Sequence, residues 1–361
     1  MTPKQRWIAA LKMETVDRLP FWPKINNSYI NYQSGSFKNM SIEQFHNWIG
    51  SDRHQGLTFF IKEKRNTSFL EEKKQDSIRK IIYGTKYGNL TATMKFDPSS
   101  QAWHPIEFPV KNKDDIKIMA HWFSDCVLEI DREKLQEAKA QYKEIGNNAV
   151  TVHTIGTSAM MVWVQHLAGI ENCHYFLADY TSLVEELFDV MNKKLLKTAQ
   201  ILAEQSPADF FYLVENTSTT LISPSQCQKY CFPVISECAK ILANKKKLLV
   251  LHMCGYLKGL LPILSKLAVS GFEAFTSPPV GNTTLIDGRS SCPDKCLIGG
   301  TNAVLWTKSA EEIIHQIEND LEQLPHHRGI VITSAGVMPP VCKPETIKKV
   351  CQWVKEYKIK L

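Results

Sequence analysis

From residue 147 to the C-terminus, short β-prone runs alternate with amphipathic helical patterns, and no other feature of the sequence constrains the fold as strongly. The runs are 149–154, 209–214, 247–251, 272–275, 296–300 and 329–333. Helix starts stand between them: capping-box patterns at Ser182-Leu-Val-Glu185 and Ser309-Ala-Glu-Glu312, and Ser223 followed by Pro224 at the first helical position. Strands joined by crossover helices pair in parallel. Two earlier runs, 19–25 and 56–61, flank a helix that opens at Ser41-Ile-Glu-Gln44 and bring the strand count to eight. Eight strands with eight connections describe a closed (β/α)8 TIM barrel of the α/β class.

Residues 63–147 break the alternation. Ile81 to Phe96 carries Gly84, Gly88 and Asn89 among β-prone residues and reads as a hairpin, and 131–143 reads as a helix. At 361 residues the chain is long enough for two domains, but single α/β barrels exceed 250 residues, and no Pro/Gly/Ser-rich linker, repeat or low-complexity tract divides it. The expectation is one barrel domain over 1–361, with an N-terminal extension and a hairpin-containing insertion over 63–147 after the second strand.

Composition excludes several classes. With 43% hydrophobic and 22% charged residues the chain is neither a disordered tail nor a coiled coil. Its longest apolar stretch, 159–164 (AMMVWV), is far short of the roughly 18 residues that span a bilayer, and the opening MTPKQRWIAALKMET lacks a signal-peptide core, so a cytoplasmic protein is expected. Lys+Arg 43 against Asp+Glu 37 gives +6, without the clustered basic footprint of nucleic-acid binders. Lys343, Lys348, Lys349, Lys355, Lys358 and Lys360 follow a helical spacing that reads as a solvated face, or as a dock for an acidic partner. The ten cysteines are expected as thiols or metal ligands.

In a barrel of this kind the chemistry sits at the C-terminal strand ends. Those ends read Asn26, Lys62, His153, Glu215-Asn216, His252-Met253-Cys254-Gly255, Thr276-Ser277-Pro278-Pro279, Thr301-Asn302 and Ser334-Ala335-Gly336. His252 and Cys254, two apart on an extended strand end, leave the same face; imidazole nitrogen with thiolate sulfur suits Zn2+. A buried histidine and an inert thiol is the competing reading. Glu215, closing the strand DFFYLVE, is the first choice for a third zinc ligand, since His, Cys⁻ and Glu⁻ neutralise the dication; a carboxylate paired with a lysine is its alternative. Glu237 and Cys342 are weaker choices. Cys227 with Cys231, and Cys292 with Cys296, lack a second pair at zinc-finger spacing and read as buried thiols. Trp22, Tyr29, Phe59, Trp163, Phe275 and Trp306 could form a ring-shaped slot near the strand ends, or simply pack the core.

The opening MTPKQRWIAALKMETVDRLPFWP, the stretch GTKYGNLTATMKF with WHPIEFPVKNKDD, the strand end HMCG, the loop SPPVGN and the ending ITSAGVMPP…KPETI together resemble the uroporphyrinogen decarboxylase superfamily over nearly the whole chain. The likeness is strongest to its corrinoid-dependent methyltransferase branch, which includes the methylcobalamin:coenzyme M methyltransferases and the methyltransferase components of bacterial O-demethylases. That resemblance implies a zinc-binding (β/α)8 barrel that moves a methyl group to or from a cobalt corrinoid, with His252 and Cys254 matching the branch's His-x-Cys zinc motif. One position departs from it. The Gly-Cys pair that supplies a third ligand in the coenzyme M enzymes aligns with Ala335-Gly336, so another group such as Glu215 has to replace the cysteine or the zinc is lost.

The expected reaction is cleavage of a methyl ether, first a phenyl methyl ether, with the methyl group passed to Co(I) of a corrinoid protein that is a separate partner. Glu215 is expected as zinc ligand or proton donor, and His153 and Asn216 as substrate-orienting residues, with Asn302 weaker. Three alternatives stand beside it: a methylcorrinoid:thiol (coenzyme M type) methyltransferase, a uroporphyrinogen decarboxylase, and a non-catalytic barrel that binds corrinoid or a partner. The decarboxylase is disfavoured because the segment PKINNSYINYQSG carries one lysine and no arginine to grip several carboxylates.

Overall fold

Fourteen strands order the chain in the computed structural model, which describes residues 1–98 and 102–361. They are β1 (Phe21–Trp22), β2 (His54–Gly56), β3 (Ile61–Arg65), β4 (Phe69–Gln75), β5 (Ile78–Thr85), β6 (Gly88–Asp97), β7 (Ala102–Glu107), β8 (Cys126–Ile130), β9 (Val150–Gly156), β10 (Phe210–Val214), β11 (Leu248–His252), β12 (Gly271–Phe275), β13 (Cys296–Gly299) and β14 (Ile330–Thr333). Eight of them form one parallel sheet in the order β1-β14-β13-β12-β11-β10-β9-β2, a nearly closed TIM barrel with helices between its strands.

Side-chain alternation explains why these runs make a barrel. Val150, Val152, Phe210, Tyr212, Val250, Ile298 and Val331 point inward and pack with Trp22 and with Trp7. Their neighbours Phe211, Leu213, Leu249, Leu251, Phe272, Leu297, Ile330 and Ile332 point outward, under the helices. Trp7, on the N-terminal helix Pro3–Leu11, stacks on Phe210 with ring centroids 6.1 Å apart, and its indole donates to the Asp52 carbonyl at 2.6 Å.

The seam between β1 and β2 is closed by Asp52 rather than by a ladder. Its backbone N–H donates to Phe21 O at 2.8 Å, and its carboxylate accepts from the Phe21 N–H at 3.1 Å. The same carboxylate, wholly buried, takes Arg18 at 2.7 Å and also Arg6, so one charge ties two loops and the N-terminal helix together.

Three of the helix starts form as expected: Ser41 with Gln44, Ser223 with Gln226 and Ser309 with Glu312 make reciprocal capping boxes. The box at Ser182 does not form. A single residue separates the preceding helix Ile170–Asp179 from the next, which begins at Thr181, so Tyr180 takes the cap position and Ser182 lies inside the first turn.

The second strand also differs from expectation. It is His54–Gly56, and the apolar run that follows leaves the barrel: Ile61–Arg65 pairs antiparallel with β8. Leu57 and Phe60 pack in the outer layer, which accounts for the strand-like hydrophobicity of that run. Between β2 and β9 lie this pair and a four-stranded antiparallel sheet β4-β5-β6-β7, in which β5 and β6 form the hairpin read from 81–96. The helix read at 131–143 is Arg132–Ile145, capped by Asp131. Among the described residues no helix is long and apolar enough to cross a membrane, and all ten cysteines are free.

Candidate active site

His252 ends β11 in the same inward register as Val250, and Cys254 follows two residues later, within hydrogen-bond reach of it. Behind the imidazole stands Glu273, projecting inward from the middle of β12: its carboxylate meets His252 Nδ1 on one oxygen and Lys24 Nζ, at 2.9 Å, on the other. Burial alone would lower the His252 pKa, but the contacts with Cys254 and Glu273 outweigh it and push the ring up to about 9. Burial likewise works against the Glu273 anion, but Lys24 and His252 hold it down at about 2. A buried carboxylate with two cationic partners is the arrangement in which burying charge is tolerated.

Cys254 is restrained from its other side. Its Sγ lies 3.4 Å from Asn216 Oδ1, and Asn216 Nδ2 donates to Gln165 Oε1 at 2.9 Å. Asn216 has φ +48°, a left-handed conformation that Asn tolerates better than most residues, and Gln165 sits in the π-helical turn Trp163–Leu167.

Below this pair opens a cavity of about 350 Å³ lined by Trp22, Lys24, Ile25, Asn26, His54, Tyr212, Val214, His252, Glu273 and Val337. The Tyr212 hydroxyl and both ring nitrogens of His54 are buried there without a hydrogen-bond partner. Burial pulls the His54 ring down to about 3 and, with the Glu273 charge, pushes the Tyr212 phenol above its ordinary value, so both are neutral hydrogen-bonding groups near pH 7.

Of the residues read from sequence, Asn216 joins His252 and Cys254, and Asn26 reaches the cavity rim while capping its own helix through Tyr29 N. Glu215 is not brought to them. It shares the outward register of Phe211 and Leu213, and its wholly buried carboxylate accepts from Ser158 N at 2.8 Å and Ser158 Oγ at 2.6 Å. His153 also faces outward, wedged between Ser206 Oγ at 2.7 Å and the Thr58 carbonyl at 3.1 Å, which leaves no ring nitrogen for a substrate. Lys62 lies exposed on β3, 3.7 Å from Glu129. Asn302 clasps Ser277 and the Pro278 carbonyl. Glu237 pairs on the surface with Lys240, and Cys342 is buried. Among the six aromatic candidates Trp22 alone lines the cavity; Tyr29, Trp163, Phe275 and Trp306 belong to the outer core, and Phe59 packs against the edge of His153.

Glu273, Lys24, His54 and Tyr212 were not singled out from sequence. Glu273 carried a usable signal, because a carboxylate inside the apolar strand GFEAF has to be buried and therefore paired.

Zinc-type donors are present at two positions, His252 and Cys254. The Glu273 contact fixes Nδ1 of the imidazole, the arrangement by which a carboxylate orients a ligating histidine. Among the described residues no group of three His, Cys, Asp or Glu side chains is placed to hold a metal ion, and the Glu215 carboxylate is turned to Ser158. A Cβ at Gly336 would meet only Ala303 Cβ, at 3.7 Å, so nothing in the local packing forbids a side chain there. His252 and Cys254 supply one nitrogen and one sulfur donor, types that zinc takes, and one fewer than the three protein ligands of a usual catalytic zinc site.

The Glu215 carboxyl has a consequence for stability. Burial outweighs the Ser158 hydrogen bonds and raises it from 4.5 to about 7, so the folded state holds this proton more tightly than the unfolded chain does. Stability is therefore expected to fall as pH rises from 4.5 to 7, by up to about 3 kcal/mol. Urea unfolding midpoints across that range should show the decline in the wild type and a flatter profile in Glu215→Gln.

The family profile of uroporphyrinogen decarboxylase (URO-D) matches residues 136–357. Among solved structures, a methyltransferase from Methanosarcina mazei is similar at 15% identity and TM-score 0.61, over 99% of both chains. A B12-independent methionine synthase from Shewanella sp. W3-18-1 aligns at 12% identity and TM-score 0.45, over 73% of this chain and 74% of that one. No curated protein sequence matches. The first of these shares the fold across its length, and the profile covers the barrel from the helix before β9 to the last helix. The chain belongs to the uroporphyrinogen decarboxylase (URO-D) family.

Proposed function

We propose that this protein is a corrinoid-dependent methyltransferase that cleaves a small methyl ether, a phenyl methyl ether first, and passes the methyl group to Co(I) of a corrinoid carried by a separate protein. The observation that carries the reading is the His252–Cys254 pair, backed by Glu273, with His252 and Glu273 lining a cavity of about 350 Å³. That volume lies at the small end of the roughly 300–1,000 Å³ typical of ligand pockets and suits a single ring. The full-length structural likeness to a protein described as a methyltransferase agrees in fold.

His252 and Cys254 would hold a zinc ion, which, when bound, supplies Lewis acidity toward an ether oxygen. The remaining work falls to the chain. Displacement at a methyl carbon needs the nucleophile on one side and a stabilised leaving oxygen on the other, so the ether has to be held in one orientation. Trp22, Ile25 and Val214 offer an apolar wall to the ring. Glu273 fixes the imidazole, and Asn216 restrains the sulfur.

Decarboxylation of a porphyrinogen fits poorly. No arginine lines the cavity, and its one lysine is already paired with Glu273, so several substrate carboxylates would lack bidentate partners.

The test is to mix purified protein with methoxyarenes and a reduced corrinoid protein and follow the corrinoid spectrum. Conversion of Co(I) to methylated corrinoid, with release of the phenol, is the expected result. No methylation with any methoxyarene, alongside turnover of a porphyrinogen, would overturn the reading.

A further inference from the structure

At the floor of the cavity, the strand register places Tyr212 below the His252–Cys254 pair. Val214 lies level with His252 across the β10–β11 pairing, and Tyr212 is two residues earlier on the same face, about 7 Å deeper. The Tyr212 ring centroid is 5.6 Å from that of His54, and the tyrosine side chain is 6% exposed. Its hydroxyl and both His54 nitrogens are buried without partners, although Glu273 and Lys24, in the same cavity, satisfy each other. Neutral polar groups left unpaired in an otherwise apolar floor are costly unless something enters to bond them. Their depth below the zinc-type donors is about one aromatic ring.

We infer that the cavity selects a ring that carries a second hydrogen-bonding oxygen, a hydroxyl or carbonyl, on the side opposite the ether, and that Tyr212 and His54 receive that oxygen. The ether end of this ligand rests on the methyl-transfer reading above; the hydroxyl end rests on Tyr212 and His54 alone. Tyr212 offers one O–H donor, and a neutral imidazole offers one donor and one acceptor, so the pair can satisfy either a phenol or a carbonyl. A purely apolar ring such as methoxybenzene leaves all three groups unpaired. Sites built to bond a polar group discriminate strongly against analogues that lack it.

The test is calorimetric binding of 4-methoxyphenol and methoxybenzene to the wild-type protein and to Tyr212→Phe, with no corrinoid present. The wild type is expected to prefer 4-methoxyphenol by roughly 10–100-fold, and Tyr212→Phe to lose most of that preference by binding the phenol more weakly. Because the hydroxyl has no partner in the fold, Tyr212→Phe should melt no lower than the wild type, and added 4-methoxyphenol should raise the melting temperature of the wild type more than that of the variant. Equal binding of the two ligands by the wild type, or a preference that survives in Tyr212→Phe, overturns the inference. A protein that shows the preference yet transfers no methyl group leaves the inference standing and removes the methyl-transfer reading. Equal binding with active transfer from both ethers does the reverse.

Discussion

Cys254→Ala is expected to lower methyl transfer to a Co(I) corrinoid protein on the order of 10³-fold, with the fold intact. The size follows from the leaving group: a phenolate formed without Lewis-acid help forgoes several kcal/mol of stabilisation, and each 1.36 kcal/mol is a factor of ten in rate. Cys254 is only partly buried, so losing its sulfur should leave the melting temperature close to that of the wild type. Glu273→Gln should cost less, roughly 10–100-fold, because it loosens the histidine without removing a ligand. Glu215→Gln should leave kcat within a small factor of wild type, since its carboxylate is turned to Ser158. Transfer rates for the three variants, measured beside their melting curves, check the ordering. A Glu215→Gln defect as large as that of Cys254→Ala would mean that the reaction centre lies elsewhere.

The largest expected effect on stability is at Asp52. Its carboxylate is wholly buried and answers two arginines and a backbone N–H across the β1–β2 seam. Asp52→Ala leaves Arg18 without a carboxylate partner and Arg6 with Asp17 alone, and it removes the side-chain half of the seam while the Asp52 N–H to Phe21 O bond survives. Removing one partner from such a buried cluster costs about 3–5 kcal/mol. Asp17, which also pairs with Arg6 but is 40% exposed, makes the control: its alanine variant should lose about 1 kcal/mol or less. Urea unfolding should therefore show a large drop in midpoint for Asp52→Ala and a small one for Asp17→Ala. Similar midpoints for the two variants would show that the seam does not depend on this charge.

The barrel was legible because its evidence is local and repeated. Strand–helix alternation, and the capping boxes at Ser41, Ser223 and Ser309, each specify an element without reference to distant contacts. Where two signals of the same strength competed, sequence chose wrongly. The apolar run after Gly56 has the hydrophobicity of a barrel strand but packs outside the barrel, and Ser182 has the pattern of a cap but lies inside the first turn of a helix whose cap position is taken by Tyr180. His252 and Cys254 come within hydrogen-bond reach of each other, which their spacing of two on an extended chain leads one to expect. The same rule, applied strictly, separates Glu215 and His153 from the cavity, since each stands one position out of register with the inward residues Val214 and Val152. Lys24 and Tyr212 stay hidden for a different reason. A lysine after Trp22-Pro23 and a tyrosine in FFYLV are unremarkable until β1, β10 and β12 are brought together around one space.

Zinc content tests the central claim most directly: elemental analysis of wild-type, Cys254→Ala and His252→Ala proteins purified side by side. The account predicts close to one zinc per chain in the wild type and its loss from both variants. A wild-type protein that transfers methyl groups without bound zinc, or variants that keep the metal in full, would contradict it.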